Sequence, residues 1–239
     1  MVIFTGAGRC GISTAGKVFR VPPQRKGTLP GLIRSAQAKD GSPYPTRDGR
    51  VVAVREHFAA LGINERNIGM AADRSCVYYH VLDAIPEIDP DVRIVYLTRD
   101  PYAHIPSSVA RGGHLGTCWT THPTLEDPEW FAWEGWSPVE KAAWVWNFRN
   151  VMAFGHLRNT PQKNWLCVRI EDFWDRVQEV SEFTGWDPDL EIVKSRTLYG
   201  TTDKSKLRAA DTWTNEEHDR VIEIAHQGME LCGYGPFSL

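Results

Sequence analysis

The sequence lacks a long apolar run, a cysteine framework and a signal-peptide pattern. No stretch approaches the ~20 apolar residues of a membrane-spanning helix. The apolar run Val2-Ile3-Phe4 is too short for the apolar core of a signal peptide. The five cysteines are scattered without a Cys-x-x-Cys pair, which is typical of reduced thiols. We therefore expect no membrane anchor and a cytoplasmic location.

An excess of one charge is also absent, since 27 Lys and Arg stand against 30 Asp and Glu. The formal net charge of -3 gives no electrostatic basis for wholesale binding of nucleic acid or of a membrane surface. We expect neither as a partner. His114, Cys118 and His122 have the spacing of metal ligands on a helix, but the glycines among them disfavour a helix. No metal site is predicted.

Short apolar runs alternate with helical patterns along the chain. The runs that predict strands are Val2–Thr5, Asn67–Ala72, Arg93–Thr98 and Trp165–Ile170. Capping boxes that begin at Ser137 and Thr214 each predict the start of a helix. This alternation predicts an α/β fold, in which residues 1–239 form a single three-layer domain with a central parallel sheet of the P-loop nucleotide-binding type.

Two segments do not follow this pattern. Residues 20–66 carry many Pro, Gly, Arg and Lys residues, which predicts a long irregular excursion. Residues 111–136 are rich in Gly, Trp and His, which predicts a loop. Tryptophan is common both in cores and on stacking surfaces, so both roles remain open for the tryptophans of this loop, Trp119, Trp130, Trp133 and Trp136.

The first predicted strand runs into a glycine-rich loop. Gly6-x-x-x-x-Gly11-x-Ser13 has the spacing of a Walker A phosphate loop, but Ile12 stands where that motif has its lysine. The missing lysine disfavours a nucleoside triphosphatase or a nucleotide kinase. A glycine turn between a strand and a helix still directs backbone N–H groups toward an anion, and Arg9 adds a cation. The alternative is a simple glycine turn at a strand end.

A second candidate anchor follows the clearest strand. Arg99-Asp100-Pro101 comes directly after Arg93–Thr98, and Ser107 lies eight residues beyond Arg99 on the helix that Pro101 begins. A guanidinium offers phosphate a bidentate contact. The alternative is an Arg–Asp pair that caps the helix. Both anchors follow strand ends, where parallel α/β sheets bind their ligands.

These motifs together resemble the sulfotransferases that use 3'-phosphoadenosine 5'-phosphosulfate (PAPS). The likeness covers residues 1–19 and 67–239, and two loop positions depart from it, because Cys10 and Ile12 stand where the family has Ser and Thr. Further similar segments are Val168-Arg169-Ile170-Glu171-Asp172-Phe173, Phe183-Thr184-Gly185 and the tail from Lys204 to Tyr234.

The resemblance implies a donor site built from the two anchors and a basic loop. The residues it implies for the 5'-phosphosulfate are Gly8, Arg9, Cys10, Gly11, Ile12, Ser13 and Thr14, with the hydroxyls of the last two capping the helix. It implies that Arg99 and Ser107 bind the 3'-phosphate and that a loop with Lys206 and Arg208 closes over it. The alternative for Lys206 and Arg208 is a charged segment that faces solvent. Arg9 then stabilises the leaving phosphate, PAP (adenosine 3',5'-bisphosphate) is the product, and no metal is required.

The sequence offers several candidates for the base that activates the acceptor. The family uses either a His on the strand before the 3'-phosphate strand or a Glu after the first helix. Asn67–Ala72 contains no His, so we rank Glu56 first, then His57 and Asp73. The expected acceptor is a small molecule, a carbohydrate or a peptide with a hydroxyl or amine. A nucleotide kinase and a non-catalytic adenosine-bisphosphate-binding protein remain the alternatives.

Overall fold

The computed structural model describes residues 1–22, 28–112, 122–196 and 209–235 of the chain. The chain divides into two compact units. The sheet unit comprises Met1–Thr98 and Met152–Tyr199, and the helical unit comprises Arg99–Val151 and Gly200–Leu239. That all residues form one domain, as the sequence predicts, stays a prediction.

The elements alternate as the sequence pattern predicts. In chain order they are β1 (Val2–Gly6), α1 (Ile12–Val18), α2 (Thr28–Asp40), α3 (Arg47–Ala60), β2 (Ala72–Arg74), β3 (Arg93–Thr98), α4 (Pro101–Ala110), α5 (Pro138–Leu157), β4 (Trp165–Arg169), α6 (Val177–Thr184), α7 (Leu190–Ser195) and α8 (Asn215–Cys232). Short 3-10 turns connect several of them. None of the helices in the described ranges is long and apolar enough to span a bilayer.

The four strands of the sheet unit form one parallel sheet in the order β2-β1-β3-β4. This confirms the predicted α/β fold. The two central strands, β1 and β3, are buried along almost their whole length, which explains their continuous apolar sequences. On one face of the sheet Phe4, Val95 and Val168 pack with residues of α1 and α6 in a single apolar cluster.

The predicted irregular excursion over residues 20–66 is wrong for most of its length, because α2 and α3 occupy it. Pro30 lies in the first turn of α2, where a proline costs no intrahelical hydrogen bond. The Thr46 side chain accepts a hydrogen bond from Gly49 N and caps α3. Leu29 and Ile33 are buried at helical spacing. The prolines and glycines concealed this helical pattern.

The predicted strand Asn67–Ala72 is also misplaced. Ile68–Met70 forms a 3-10 turn, and β2 begins only at Ala72. The strand itself is short and polar, because Asp73 and Arg74 make up two of its three residues. The strand forms because it pairs with β1 through backbone hydrogen bonds, although its own residues do not favour a strand.

The helical unit contains α4, the first part of α5, and α8. Both predicted capping boxes are present, with the Ser137 backbone N–H donating to Glu140 and the Thr214 backbone N–H donating to Glu217. Trp133 and Trp144 are buried, and their rings meet edge to face at 5.4 Å. Within residues 122–136 the regular structure consists of two 3-10 turns, and Trp133 belongs to the core of this unit.

Candidate functional site

The loop after β1 has an unusual backbone. Gly8, Arg9 and Gly11 have φ values of 82°, 55° and 83°, all in the left-handed region. Glycine adopts this region freely, whereas an arginine there costs about 1–2 kcal/mol. Strained non-glycine residues persist where the surrounding structure determines them, and they cluster at binding and catalytic sites. Arg20 and Arg196 also have positive φ values, but singly, so the group of three left-handed residues between a strand and a helix is what marks this loop as a candidate site.

At Gly6 close packing against backbone excludes a side chain, and at Gly11 the left-handed φ and a neighbouring side chain disfavour one. A Cβ on Gly6 would lie 2.2 Å from the carbonyl oxygen of Leu97 on β3. A Cβ on Gly11 would lie 2.2 Å from Cδ1 of Ile170, the residue after β4. The loop is thus held close to the carboxyl ends of its neighbouring strands, which is where parallel sheets bind ligands.

The two positions that depart from the family pattern are turned toward the protein. The Cys10 side chain is fully buried, and its Sγ donates to the Gly8 carbonyl oxygen at 2.9 Å. Ile12, at the Walker lysine position, packs against the apolar cluster of the sheet. The sequence differences at these two positions therefore concern internal packing, while Arg9 is only half-buried and Ser13 is exposed.

One detail of the predicted loop is wrong. Helix α1 begins at Ile12 with Gly11 as its N-cap, and no side chain caps it. Ser13 and Thr14 therefore lie inside the first turn rather than at the cap. Thr14 is buried, whereas Ser13 faces solvent. Ser13 is accordingly the hydroxyl of this pair that is accessible to a ligand.

The second anchor lies at the start of α4 in the helical unit. The Asp100 side chain accepts a hydrogen bond from Tyr102 N at 2.7 Å, and Pro101 is the first helical residue. Asp100 therefore caps the helix, as the alternative interpretation of this motif predicts. Trp146 Nε1 donates to the Arg99 carbonyl oxygen at 3.0 Å, which fixes the backbone there. Arg99 is half-buried and Ser107 is buried; phosphate binding by both stays a prediction.

Two of the three base candidates form a buried network. His57 Nε2 lies 3.2 Å from Asp73 Oδ2 and 3.1 Å from the Tyr78 hydroxyl, and His57 Nδ1 lies 2.9 Å from Thr28 Oγ1. The Tyr78 hydroxyl donates to Asp73 Oδ2 at 2.6 Å. His57 is fully buried, whereas Glu56, beside it on α3, is exposed. Of these three candidates, only Glu56 is exposed to solvent.

The pKa values within this network fit a structural role. Burial raises the pKa of Asp73, but hydrogen bonds from His57 and Tyr78 outweigh it and leave the pKa below its ordinary value. Burial and the Asp73 charge raise the pKa of Tyr78 well above its ordinary value. Asp73 therefore stays ionised and Tyr78 stays protonated near neutral pH. The network ties β2 to α3.

Several predicted site residues lie outside the described residues, namely Lys206, Arg208, His114, Cys118 and Trp119. Within the ranges that are described, no group of three or more His, Cys, Asp and Glu side chains has an arrangement that could hold a metal ion. Sequence reasoning assigned no role to Arg74, whose side chain contacts α1. Its position at the end of a parallel strand, where such sheets bind their ligands, was the available signal.

Comparisons with known proteins place the fold. No protein-family model matches the sequence, and no curated protein matches it. The structure resembles a sulfotransferase from Alicyclobacillus acidocaldarius at 11% identity and a TM-score of 0.52, covering 99% of this chain and 96% of that one. It also resembles the sulfotransferase domain of the Synechococcus PCC 7002 olefin synthase at 15% identity and a TM-score of 0.50, covering 95% and 93%. The chain therefore has the fold of these sulfotransferase structures, as its sequence motifs predict.

Proposed function

We propose that the chain is a sulfotransferase that moves the sulfuryl group of PAPS to a hydroxyl or amine of an acceptor. The observation that carries the proposal is the strained loop Gly8–Gly11 on a fold shared with sulfotransferase structures. The loop keeps the glycines and the cation of an anion site without the Walker lysine. A donor whose reacting group is a sulfonate on a phosphate matches that combination.

In this proposal the donor is held at both phosphates. Loop amides, the Arg9 guanidinium and the Ser13 hydroxyl bind the 5'-phosphosulfate. Arg99 and Ser107 bind the 3'-phosphate, which distinguishes PAPS from ATP. Arginine suits both places because its fork pairs with two phosphate oxygens at once.

Catalysis then depends on position and charge. The sulfuryl group passes in line between two oxygens, or between oxygen and nitrogen, while negative charge grows on the leaving phosphate. The Arg9 guanidinium stabilises that charge. Glu56 accepts the proton of the acceptor, because it is the exposed candidate of the three. No metal is required in this scheme, since Arg9 and backbone N–H donors stabilise the negative charge on the leaving phosphate.

The nucleotide preference tests the proposal against a kinase. We expect calorimetry to give micromolar or tighter binding of adenosine 3',5'-bisphosphate and PAPS, and much weaker binding of ATP with Mg²⁺. The 3'-phosphate supplies the difference, because ATP has no group for Arg99 to bind. Binding of ATP that matches or exceeds that of adenosine bisphosphate would favour the nucleotide kinase.

Replacing Arg99 by alanine is expected to weaken PAPS binding while turnover of bound donor changes little. A hydrogen bond to a charged group contributes about 1.5–3 kcal/mol, so we expect the dissociation constant to rise about ten- to a hundredfold. The backbone contact from Trp146 to the Arg99 carbonyl oxygen survives the change. Isothermal titration with PAPS measures the effect.

The matched control is Arg158→Ala, which removes an exposed arginine directly after α5. We expect it to bind PAPS like the wild type. If Arg99→Ala binds PAPS with unchanged affinity, or loses turnover rather than affinity, the assignment of Arg99 to the 3'-phosphate is wrong.

A further inference from the structure

The side chain of Arg74 lies across helix α1 in the sheet unit. Its Nη1 donates to the Ser13 carbonyl oxygen at 3.1 Å, and its Nε donates to the Pro22 carbonyl oxygen at 3.1 Å. The guanidinium lies where Gly16 leaves room, since a Cβ on Gly16 would be 2.2 Å from Nη1. One side chain therefore holds both the first turn of α1 and the segment that follows the helix.

The sheet fixes the direction of this side chain. Arg74 pairs with Phe4 of β1, and Ser75 N donates to the Phe4 carbonyl oxygen at 3.1 Å. Successive side chains of a strand point to opposite faces. Asp73 is tied to His57 on one face, so Arg74 points to the other face, where α1 packs. A shift of β2 by one residue would exchange these two partners.

We propose that Arg74 is a positioning residue for the candidate donor loop, holding Ser13 and the first turn of α1 in place for the phosphosulfate. This inference rests on the proposed function, because it concerns how the same loop binds its donor. The guanidinium acts through the Ser13 carbonyl oxygen and Gly16 rather than through the reacting atoms. It also places a fixed positive charge behind a loop that binds an anion.

The charge of Arg74 fits this role. Burial lowers the pKa of Arg74, and the neighbouring Asp73 carboxylate acts in the opposite direction. An arginine remains protonated through such shifts. In a half-buried position its charge is screened less than on the open surface. Loss of the side chain therefore removes two hydrogen bonds and a nearby positive charge from the loop.

Gly16→Ala separates positioning from stability. The new Cβ displaces the guanidinium from its two hydrogen bonds, but alanine favours a helix over glycine, so the melting temperature should fall less than in Arg74→Met. We expect the dissociation constant for adenosine 3',5'-bisphosphate to rise about tenfold, because the charged hydrogen bond to Ser13 is lost. A purely structural role for Arg74 predicts unchanged affinity in Gly16→Ala at a temperature where the variant is fully folded.

Arg74→Met and Arg74→Lys complete the test. We expect Met to weaken binding about tenfold or more and Lys to fall between Met and the wild type, since Lys keeps the charge without the fork. Adding Gly16→Ala to Arg74→Met should cause no further loss, because the two changes remove the same interaction. Arg66→Met, at an exposed arginine of the same unit, is the control and should bind like the wild type.

The experiment measures adenosine 3',5'-bisphosphate binding by calorimetry and the melting temperature of every variant. The inference is supported if Gly16→Ala and Arg74→Met both bind more weakly than the wild type and the double variant binds no more weakly than Arg74→Met. Wild-type affinity in Gly16→Ala or Arg74→Met overturns it and leaves the proposed function standing. A wild-type protein that binds neither adenosine bisphosphate nor PAPS overturns both.

Discussion

Replacing Arg9 by alanine is expected to lower the turnover of sulfuryl transfer by about a hundred- to a thousandfold. The dissociation constant for PAPS should change by only a few fold. The guanidinium interacts most strongly when negative charge grows on the leaving phosphate, so its removal costs the transition state more than the bound donor. Single-turnover measurement of transfer from PAPS, beside calorimetric binding, separates the two quantities.

The chain offers a matched control for Arg9. Arg20 has the same left-handed φ of 55°, is exposed, and pairs with Asp189 at 3.4 Å. Arg20→Ala therefore makes the same chemical change in a similar backbone conformation, and we expect its turnover to match the wild type. If Arg9→Ala mainly loses PAPS affinity while Arg99→Ala mainly loses turnover, the roles of the two arginines are exchanged.

Replacing Asp83 by asparagine is expected to lower the free energy of unfolding by about 3–5 kcal/mol. Arg50 donates to both carboxylate oxygens, at 3.1 and 2.6 Å, and His156 Nδ1 lies 3.1 Å from Oδ1. The Asp83 side chain is only 6% exposed and that of Arg50 only 15%. Asparagine leaves the guanidinium half-buried without its counter-charge. Urea unfolding measures the loss.

Asp175→Asn is the control for this cluster. Asp175 also pairs with an arginine, Arg196, at 2.9 Å, but both side chains are exposed. An exposed pair contributes about 0–1 kcal/mol, so the control should unfold close to the wild type. An Asp83→Asn variant that is as stable as Asp175→Asn would show that the buried cluster does not stabilise the sheet unit.

The same cluster predicts a dependence on pH. Burial raises the pKa of Asp83, but hydrogen bonds from His156 and Arg50 outweigh it and hold the pKa well below its ordinary value. A lowered folded-state pKa contributes stability above the unfolded-state pKa, about 3.9, and loses it progressively as the pH falls below that value. The difference in unfolding free energy between wild type and Asp83→Asn should therefore shrink in acid. A difference that stays constant from neutral to strongly acidic pH contradicts this.

The strands and helix starts that the sequence predicts carry local signals. β1, β3 and β4 are apolar or β-branched runs, and the helix α8 begins at a capping box. By contrast, β2 is polar and short, so it forms because β1 offers it hydrogen-bonding partners. The sequence did not predict α2 and α3 because Pro30 in the first turn of α2, and Pro43 and Pro45 between the two helices, look like loop signals.

Some features of the candidate site could also be predicted from the sequence, and others could not. The glycines of the loop are predictable because their spacing reflects constraints on the backbone: Gly6 packs against the Leu97 carbonyl oxygen, and Gly11 has a left-handed φ. The inward orientation of Cys10 and the network around His57 are not, since they depend on which distant residues the fold brings near. For that reason His57 and Asp73 look like candidate bases in the sequence and are buried partners in the structure.

The proposed activity is transfer of a sulfuryl group from PAPS. The most direct measurement incubates the protein with ³⁵S-labelled PAPS and a panel of sugar, phenol and peptide acceptors, with γ-labelled ATP as the control donor. We expect label on at least one acceptor from PAPS, none from ATP, and loss of that transfer in Arg9→Ala. Tight binding of adenosine bisphosphate without transfer to any acceptor would instead indicate a non-catalytic binder, and transfer from ATP would show that the protein is not a PAPS-dependent sulfotransferase.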